Sequence, residues 1–207
     1  MRKFLLSVAA VALVASPALA GKYNKKVSVG DKAPTFSGIP ATTPKGEEAS
    51  LSLGDIKEDV VVLVFLANHC PVVVQYEDRI QQLVDDMKGK SVKVVGVAVT
   101  GSGQRKVDDL AAIKERLKGD DKKFNYVYGF DDTQQIGRDY GATNTPQFFV
   151  LDKERKIRYM GALDDNPNET SVKKTYVKDA VEALLSGKDV EVSETRPVGC
   201  GVSYDKK

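Results

Sequence analysis

Val60 to Leu66 forms an unbroken apolar run of strand length, the strongest pattern in the chain. A run apolar at every position fits a strand buried on both faces. It breaks at Asn68, and Cys70 and Pro71 follow. From Val72 to about Lys88 the pattern changes period. Val73, Tyr76, Ile80, Leu83, Val84 and Met87 recur at spacings of three and four, which predicts a helix ended by Gly89. Val92 to Val99 is a second buried strand. Arg105 to Leu117 is a helix with Val107, Leu110, Ile113 and Leu117 on one side, and its alternating charges, running on to residue 123, form a solvated face. Phe124 to Tyr128 predicts a third strand and Thr133 to Tyr140 a short helix. Gln147–Leu151 and Lys156–Gly161 predict a hairpin, and Ser171–Leu185 a last helix closed by Gly187. Thr35 to Ile39 is extended, 40–48 a loop and Ser50–Leu53 a short strand. Strands alternating with helices, then a hairpin and a helix, give an α/β chain: a central mixed β-sheet flanked by helices on both faces.

The N-terminus changes the picture of charge. Arg2 and Lys3, the apolar stretch Phe4 to Ala15 and the small-x-small end Ala18-Leu19-Ala20 predict an export signal over residues 1–20, removed before Gly21. The apolar part is too short for a comfortable membrane span, and no other stretch is a candidate. Lys and Arg number 31 and Asp and Glu 29 in the whole chain; two of the basic residues and none of the acidic ones lie in the signal, so 29 face 29. A neutral chain argues against a nucleic-acid partner. The expected organisation is a signal (1–20), one domain (21–187) and a tail (188–207) that carries Cys200. The expected location is exported, periplasmic or secreted.

The candidate chemistry sits where the first buried strand meets its helix. Cys70 is one of two cysteines and His69 is the single histidine. Pro71 suits the first helical position, where a missing N–H costs nothing. Cys70 then lies at the helix N-terminus, whose unpaired N–H groups and partial positive charge favour a thiolate. Cys70 is either that nucleophile or an inert buried thiol. His69 is either a tuning or proton-transfer partner or a loop histidine. Cys200 stands 130 positions later; it either reaches Cys70, resolving a sulfenic acid or mixed disulfide, or stays a tail thiol. Asp131–Asp132 and Asp164–Asp165 read as caps rather than metal ligands, and Arg79 and Arg138 as surface ion pairs rather than partners of a thiolate. Gly101-Ser102-Gly103 is too short for a dinucleotide loop, so no cofactor is implied. One histidine and two distant cysteines make an inadequate copper site.

Several stretches resemble one family. Val64 to Cys70 resembles the strand-to-cysteine approach of thioredoxin-like proteins. Gly141-Ala142-Thr143-Asn144-Thr145-Pro146 resembles their cis-proline loop, and Gly30 to Phe36 resembles the start of the alkyl hydroperoxide reductase/thiol-specific antioxidant (redoxin) family. Asn68-His69-Cys70-Pro71, Tyr76-Glu77-Asp78-Arg79, Gly161 to Asn166 and Gly199-Cys200 resemble a peroxiredoxin-like group, and together the likeness spans about residues 28–204. The resemblance implies a thioredoxin-like fold and a thiol oxidoreductase acting on a peroxide or a protein disulfide or thiol, with an external thiol reductant. It implies a cis Thr145–Pro146 peptide facing Cys70, with Asn68, Pro71, Thr145 and Pro146 lining the substrate site and Thr145 offering its backbone to an extended segment. The departures are local. Val73 stands where thioredoxin places its second cysteine, Ala67 where close relatives carry a cysteine and peroxidases a hydroxyl, and Leu63 where peroxidases carry proline. A non-catalytic binding module that has lost its second cysteine is the competing expectation.

Overall fold

The computed structural model describes residues 21–118 and 124–206; the expected export signal lies outside them. Seven strands form one sheet: β1 (Ile39–Thr42), β2 (Glu48–Leu51), β3 (Val60–Leu66), β4 (Val92–Ala98), β5 (Val127–Phe130), β7 (Gln147–Leu151) and β8 (Ile157–Gly161). Their order is β2-β1-β5-β4-β3-β7-β8. β3, β4 and β5 run parallel, while β7 pairs antiparallel with β3 and β8 with β7. Two short strands outside this sheet, β6 (Asn144–Thr145) and β9 (Cys200–Gly201), pair antiparallel with each other.

The apolar run sits at the centre of the sheet because both of its faces are covered. Val60, Val62, Val64 and Leu66 pack on one side with Val73, Tyr76 and Ile80 of α1 (Pro71–Asp86), Ile113 of α3 (Leu110–Glu115) and Val177, Ala180 and Val181 of α5 (Tyr176–Leu185). Val61, Leu63 and Phe65 face the other way, against Ile136 and Tyr140 of α4 (Gln135–Tyr140) and against Val27, Ala33 and Phe36. The period-2 alternation of a strand thus feeds two cores from one continuous apolar sequence.

Four boundaries differ from the sequence expectation, each for a local reason. The helix expected over 105–117 is broken into α2 (Arg105–Asp108) and α3. Asp109 takes an extended conformation and restarts the helix by accepting from the Ala112 amide. The loop expected over 40–48 holds a hairpin, β1–β2, closed by Thr43 and Glu47. Only Ala41 and Thr42 of β1 pair with β5, so Pro40 lies outside that ladder. Phe124 and Tyr126 bury their rings as expected, but pairing begins only at Val127 opposite Val95. The last helix starts at Tyr176 rather than Ser171, because the amides of Lys173 and Lys174 are taken by Asp165.

The tail packs on the domain. It first bonds along β8, where Thr195 donates to the Met160 carbonyl and Ser193 accepts from the Met160 amide. It then crosses to the Thr143–Pro146 loop as β9 and ends against α4.

Candidate active site

Cys70 is the N-cap residue of α1, with Pro71 at the first helical position and no acidic residue in the first turn. The cap has no side-chain hydrogen bond, so its sulfur is not occupied as an acceptor there. Cys70 is fully buried, and its sulfur lies 3.2 Å from the Thr145 carbonyl oxygen. It is joined by a disulfide to Cys200, with the Cα atoms 6.1 Å apart. Of the two alternatives the sequence left open, Cys200 is therefore the one that reaches Cys70.

The Thr145–Pro146 peptide is cis. The backbone of Thr145, expected to be open to an extended substrate, is paired: it opposes Cys200, and Asn144 opposes Gly201. The Val202 amide donates to the Thr143 carbonyl at 2.9 Å, and Asn144 Nδ2 donates to the Gly199 carbonyl at 2.9 Å. Gly199 has φ +153°, and a Cβ at that position would collide with the Thr145 carbonyl, so the approach of tail to loop requires glycine here.

Beyond Cys200 the tail is held without help from the sulfur. Gln134, buried, donates from Nε2 to the carbonyls of Val99 (3.0 Å) and Ser203 (2.9 Å) and accepts from the Asp205 amide (2.8 Å). Arg138 donates to the Asp205 carbonyl at 2.5 Å and lies over the Tyr204 ring at 4.7 Å. Tyr204 donates its hydroxyl to the Ala142 carbonyl, and burial pushes its pKa above the ordinary tyrosine value.

His69 is paired with a residue the sequence did not single out. Its Nδ1 lies 2.5 Å from Asp108 Oδ2, and its backbone N–H donates to Asp108 Oδ1 at 3.1 Å. Asp108 is wholly buried and also accepts from the Thr100 hydroxyl. Asp108 is thus a correction to the solvated face expected over 105–123. The break at Asp109 ends α2 at Asp108 and separates it from α3. A charge four residues beyond Gln104 inside a helical pattern carries no mark of this role. The ring of His69 stays 37% exposed and forms one wall of a cavity of about 290 Å³, which Thr145, Gly201, Val202 and Ser203 bound on the tail side. Both polar ends of the Asn68 side chain are engaged: Nδ2 donates to the Val107 carbonyl and Oδ1 accepts from Arg116, which also pairs with buried Glu77. Pro71 is exposed beside the disulfide.

Arg138 thus anchors the tail, while Arg79 lies elsewhere. Arg79 forms a nearly buried ion pair with Asp164, 9% and 4% exposed, and donates to the carbonyls of Asn166 and Pro167. Burial pushes the Asp164 carboxyl up, against the pull of Arg79. This ties α1 to the loop after β8 and gives the Tyr76–Arg79 and Gly161–Asn166 stretches a shared structural cause. Asp131 caps α4, accepting from Thr133 and from the Ile136 amide. Among the described residues no group of three or more His, Cys, Asp or Glu is arranged to hold a metal ion. No described helix is long and apolar enough to cross a membrane.

The AhpC/TSA family pattern matches residues 29–160, more than half of the chain. The chain belongs to the AhpC/TSA family. Among curated proteins no sequence matches it. Two crystal structures superpose over nearly their whole length. A hypothetical protein from Sinorhizobium meliloti gives a TM-score of 0.75 at 26% identity, covering 89% of this chain and 98% of the other. An uncharacterized conserved protein from Geobacillus kaustophilus gives 0.77 at 25%, covering 94% and 100%. A putative thiol:disulfide interchange protein from Chlorobium tepidum shares the fold at 24% identity and a TM-score of 0.54, covering 78% and 97%. The AhpC/TSA chain has a thioredoxin-like fold, and that fold with the Cys70–Cys200 disulfide supports thiol-oxidoreductase chemistry.

Proposed function

We propose that the protein is an exported thiol–disulfide oxidoreductase whose redox couple is Cys70–Cys200, turned over by an external thiol. The observation that carries this reading is the meeting of the two cysteines across the cis Thr145–Pro146 loop. The competing expectation of a binding module rested on the missing cysteine at positions 67 and 73; a second sulfur from the tail removes its motive. Disulfide exchange is favoured over peroxide reduction because Cys70 is buried beneath the tail, and because Ala67 and Leu63 offer neither the hydroxyl nor the proline of a peroxidase site. Export is supported by residues 1–20 and by the disulfide itself, since such bonds persist in oxidising compartments.

The chemistry follows from where the sulfurs sit. Cys70 lies at the positive end of α1, with no first-turn carboxylate to offset it, which favours a thiolate there against the opposing effect of its burial. A disulfide breaks more readily towards the thiolate that leaves more easily. Asp108 holds the His69 ring through Nδ1, which fixes its orientation beside the cavity. The test is a thiol titration of the purified protein across a series of glutathione redox buffers. Wild type should gain two thiols in a single cooperative step. Cys70→Ser and Cys200→Ser should each show no such step. Retention of the disulfide at every potential short of unfolding would make the bond structural and end this reading.

A further inference from the structure

Cys70 and Cys200 share one bond but differ in access. Cys70 is completely buried: its sulfur lies against the Thr145 carbonyl, and its side chain belongs to the core packed between β3 and α1. Cys200 is partly exposed and is followed by Gly201, which is exposed and has open space where a side chain would stand. The cavity of about 290 Å³ lies between His69 and the 201–203 stretch that directly follows Cys200; the two cysteines themselves are not among its lining residues. The backbone of Thr145 is meanwhile taken up by Cys200 itself, and Gln134, Arg138 and Asn144 hold the tail by hydrogen bonds that involve neither sulfur.

Resting on the oxidoreductase reading, we infer that Cys200 is the sulfur that exchanges with the outside, that Cys70 is the internal leaving group, and that the substrate thiol is of low molecular weight, because the tail occupies the edge an extended polypeptide would need. An incoming thiolate attacks Cys200 Sγ, the Cys70–Cys200 bond breaks, and its electron pair stays on Cys70 as a thiolate at the α1 N-terminus. A second thiolate attacks the external sulfur of the mixed disulfide. This releases an oxidised dimer of the small thiol and leaves Cys200 reduced. Two small thiols are oxidised, one protein disulfide is reduced, and the two thiol protons pass to Cys70 and Cys200. Direct attack at a disulfide sulfur needs near-linear access to it, which the burial of Cys70 denies.

Three measurements decide the matter. Oxidised wild type is mixed with reduced glutathione, quenched in acid and mapped by mass spectrometry. The adduct is expected on Cys200, and an adduct on Cys70 overturns the inference without any substitution being made. Cys70→Ser and Cys200→Ser are then each reacted with 5,5′-dithiobis(2-nitrobenzoate). Cys200 in the first variant should react at least tenfold faster than Cys70 in the second, and equal or reversed rates overturn the inference. Adding Gln134→Ala to Cys200→Ser should raise the Cys70 rate several-fold by loosening the tail; an unchanged rate would mean that the tail does not shield it. Failure of the functional reading looks different: the redox-buffer titration would then show no two-thiol step, whichever sulfur reacts faster.

Discussion

Cys70 is held by the core and Cys200 by a strap. The first follows a strand buried on both faces and opens a sixteen-residue helix whose inner side is Val73, Tyr76, Ile80 and Leu83. The second lies in a stretch whose regular structure is a two-residue strand, kept in place by hydrogen bonds to Gln134, Arg138 and Asn144. Apolar burial makes a position that few perturbations move. Hydrogen bonds to a chain segment at the surface make one that can open locally while the rest stays folded. The two halves of the couple should therefore fail in different ways.

The largest test of that difference is the bond itself. It closes a span of 130 residues, for which the chain-entropy account gives up to about 4–5 kcal/mol. Cys200→Ser should lower the unfolding free energy towards that limit, with a steeper denaturant slope because the unfolded chain is no longer cross-linked. Phe65→Ala is the matching lesion in the core. Phe65 is fully buried and meets Tyr140 and Phe149 edge-on, and its loss should cost about 3–5 kcal/mol in oxidised and reduced protein alike. If strap and core are independent, the two losses add. A double variant that departs from the sum by more than about 0.5 kcal/mol would break the division drawn above.

Gln134→Ala sharpens it. Three hydrogen bonds go, two of them to the tail, for an expected loss of about 1–3 kcal/mol. Hydrogen exchange should quicken at the amides of 202–205 and stay unchanged in β3 and β4. Quickening throughout would mean that the strap is part of the core's cooperative unit.

The core half was legible because its cause is local. Seven consecutive apolar residues, a proline after a cysteine and a 3–4 apolar spacing each state their own outcome, and β3, α1 and the paired Gln147–Leu151 and 157–161 strands follow within a residue or two. The strap was not legible, because what holds it lies 55 to 71 residues away in sequence: Asn144 on Gly199, Arg138 and Gln134 on Asp205. Polar contacts of that kind leave no period. Asp108 was lost for a related reason. A helical reading of 105–117 makes it one charge among several, and only the extended backbone of Asp109 separates it from α3 and leaves it under His69 and Thr100.

That pair gives a smaller test, and the chain's single histidine makes it clean. In Asp108→Asn an amide nitrogen that faces Nδ1 would turn the ring from a donor at Nδ1 into an acceptor there. The imidazole nitrogen signals should show the tautomer reversed, with a stability loss of about 1 kcal/mol. Unchanged signals would mean that Asp108 does not orient the ring.

The smallest effect joins the two regions. Lys178 of α5, the helix that leads into the tail, reaches Asp86 at the end of α1 at 2.6 Å. The hydrogen bond from Lys178, with a second from Gln82, holds the Asp86 carboxyl below its usual range, and the same bond holds the Lys178 ammonium above its own. The carboxyl's contribution is thus complete above the unfolded value near about 3.9 and is lost as pH falls through the lower folded one. The ammonium's contribution is complete below about 10.4 and is lost as pH rises through the raised folded value. Both are in full force at neutral pH. The pair is partly exposed and screened by solvent, so its worth is at most about 0.5 kcal/mol. Lys178→Ala should lower stability by that amount between pH 5 and 8 and flatten the loss on acidification below pH 4. An acid limb identical to wild type would mean that α1 and α5 are joined by Val177, Ala180 and Val181 alone, and that the link between core and strap is apolar.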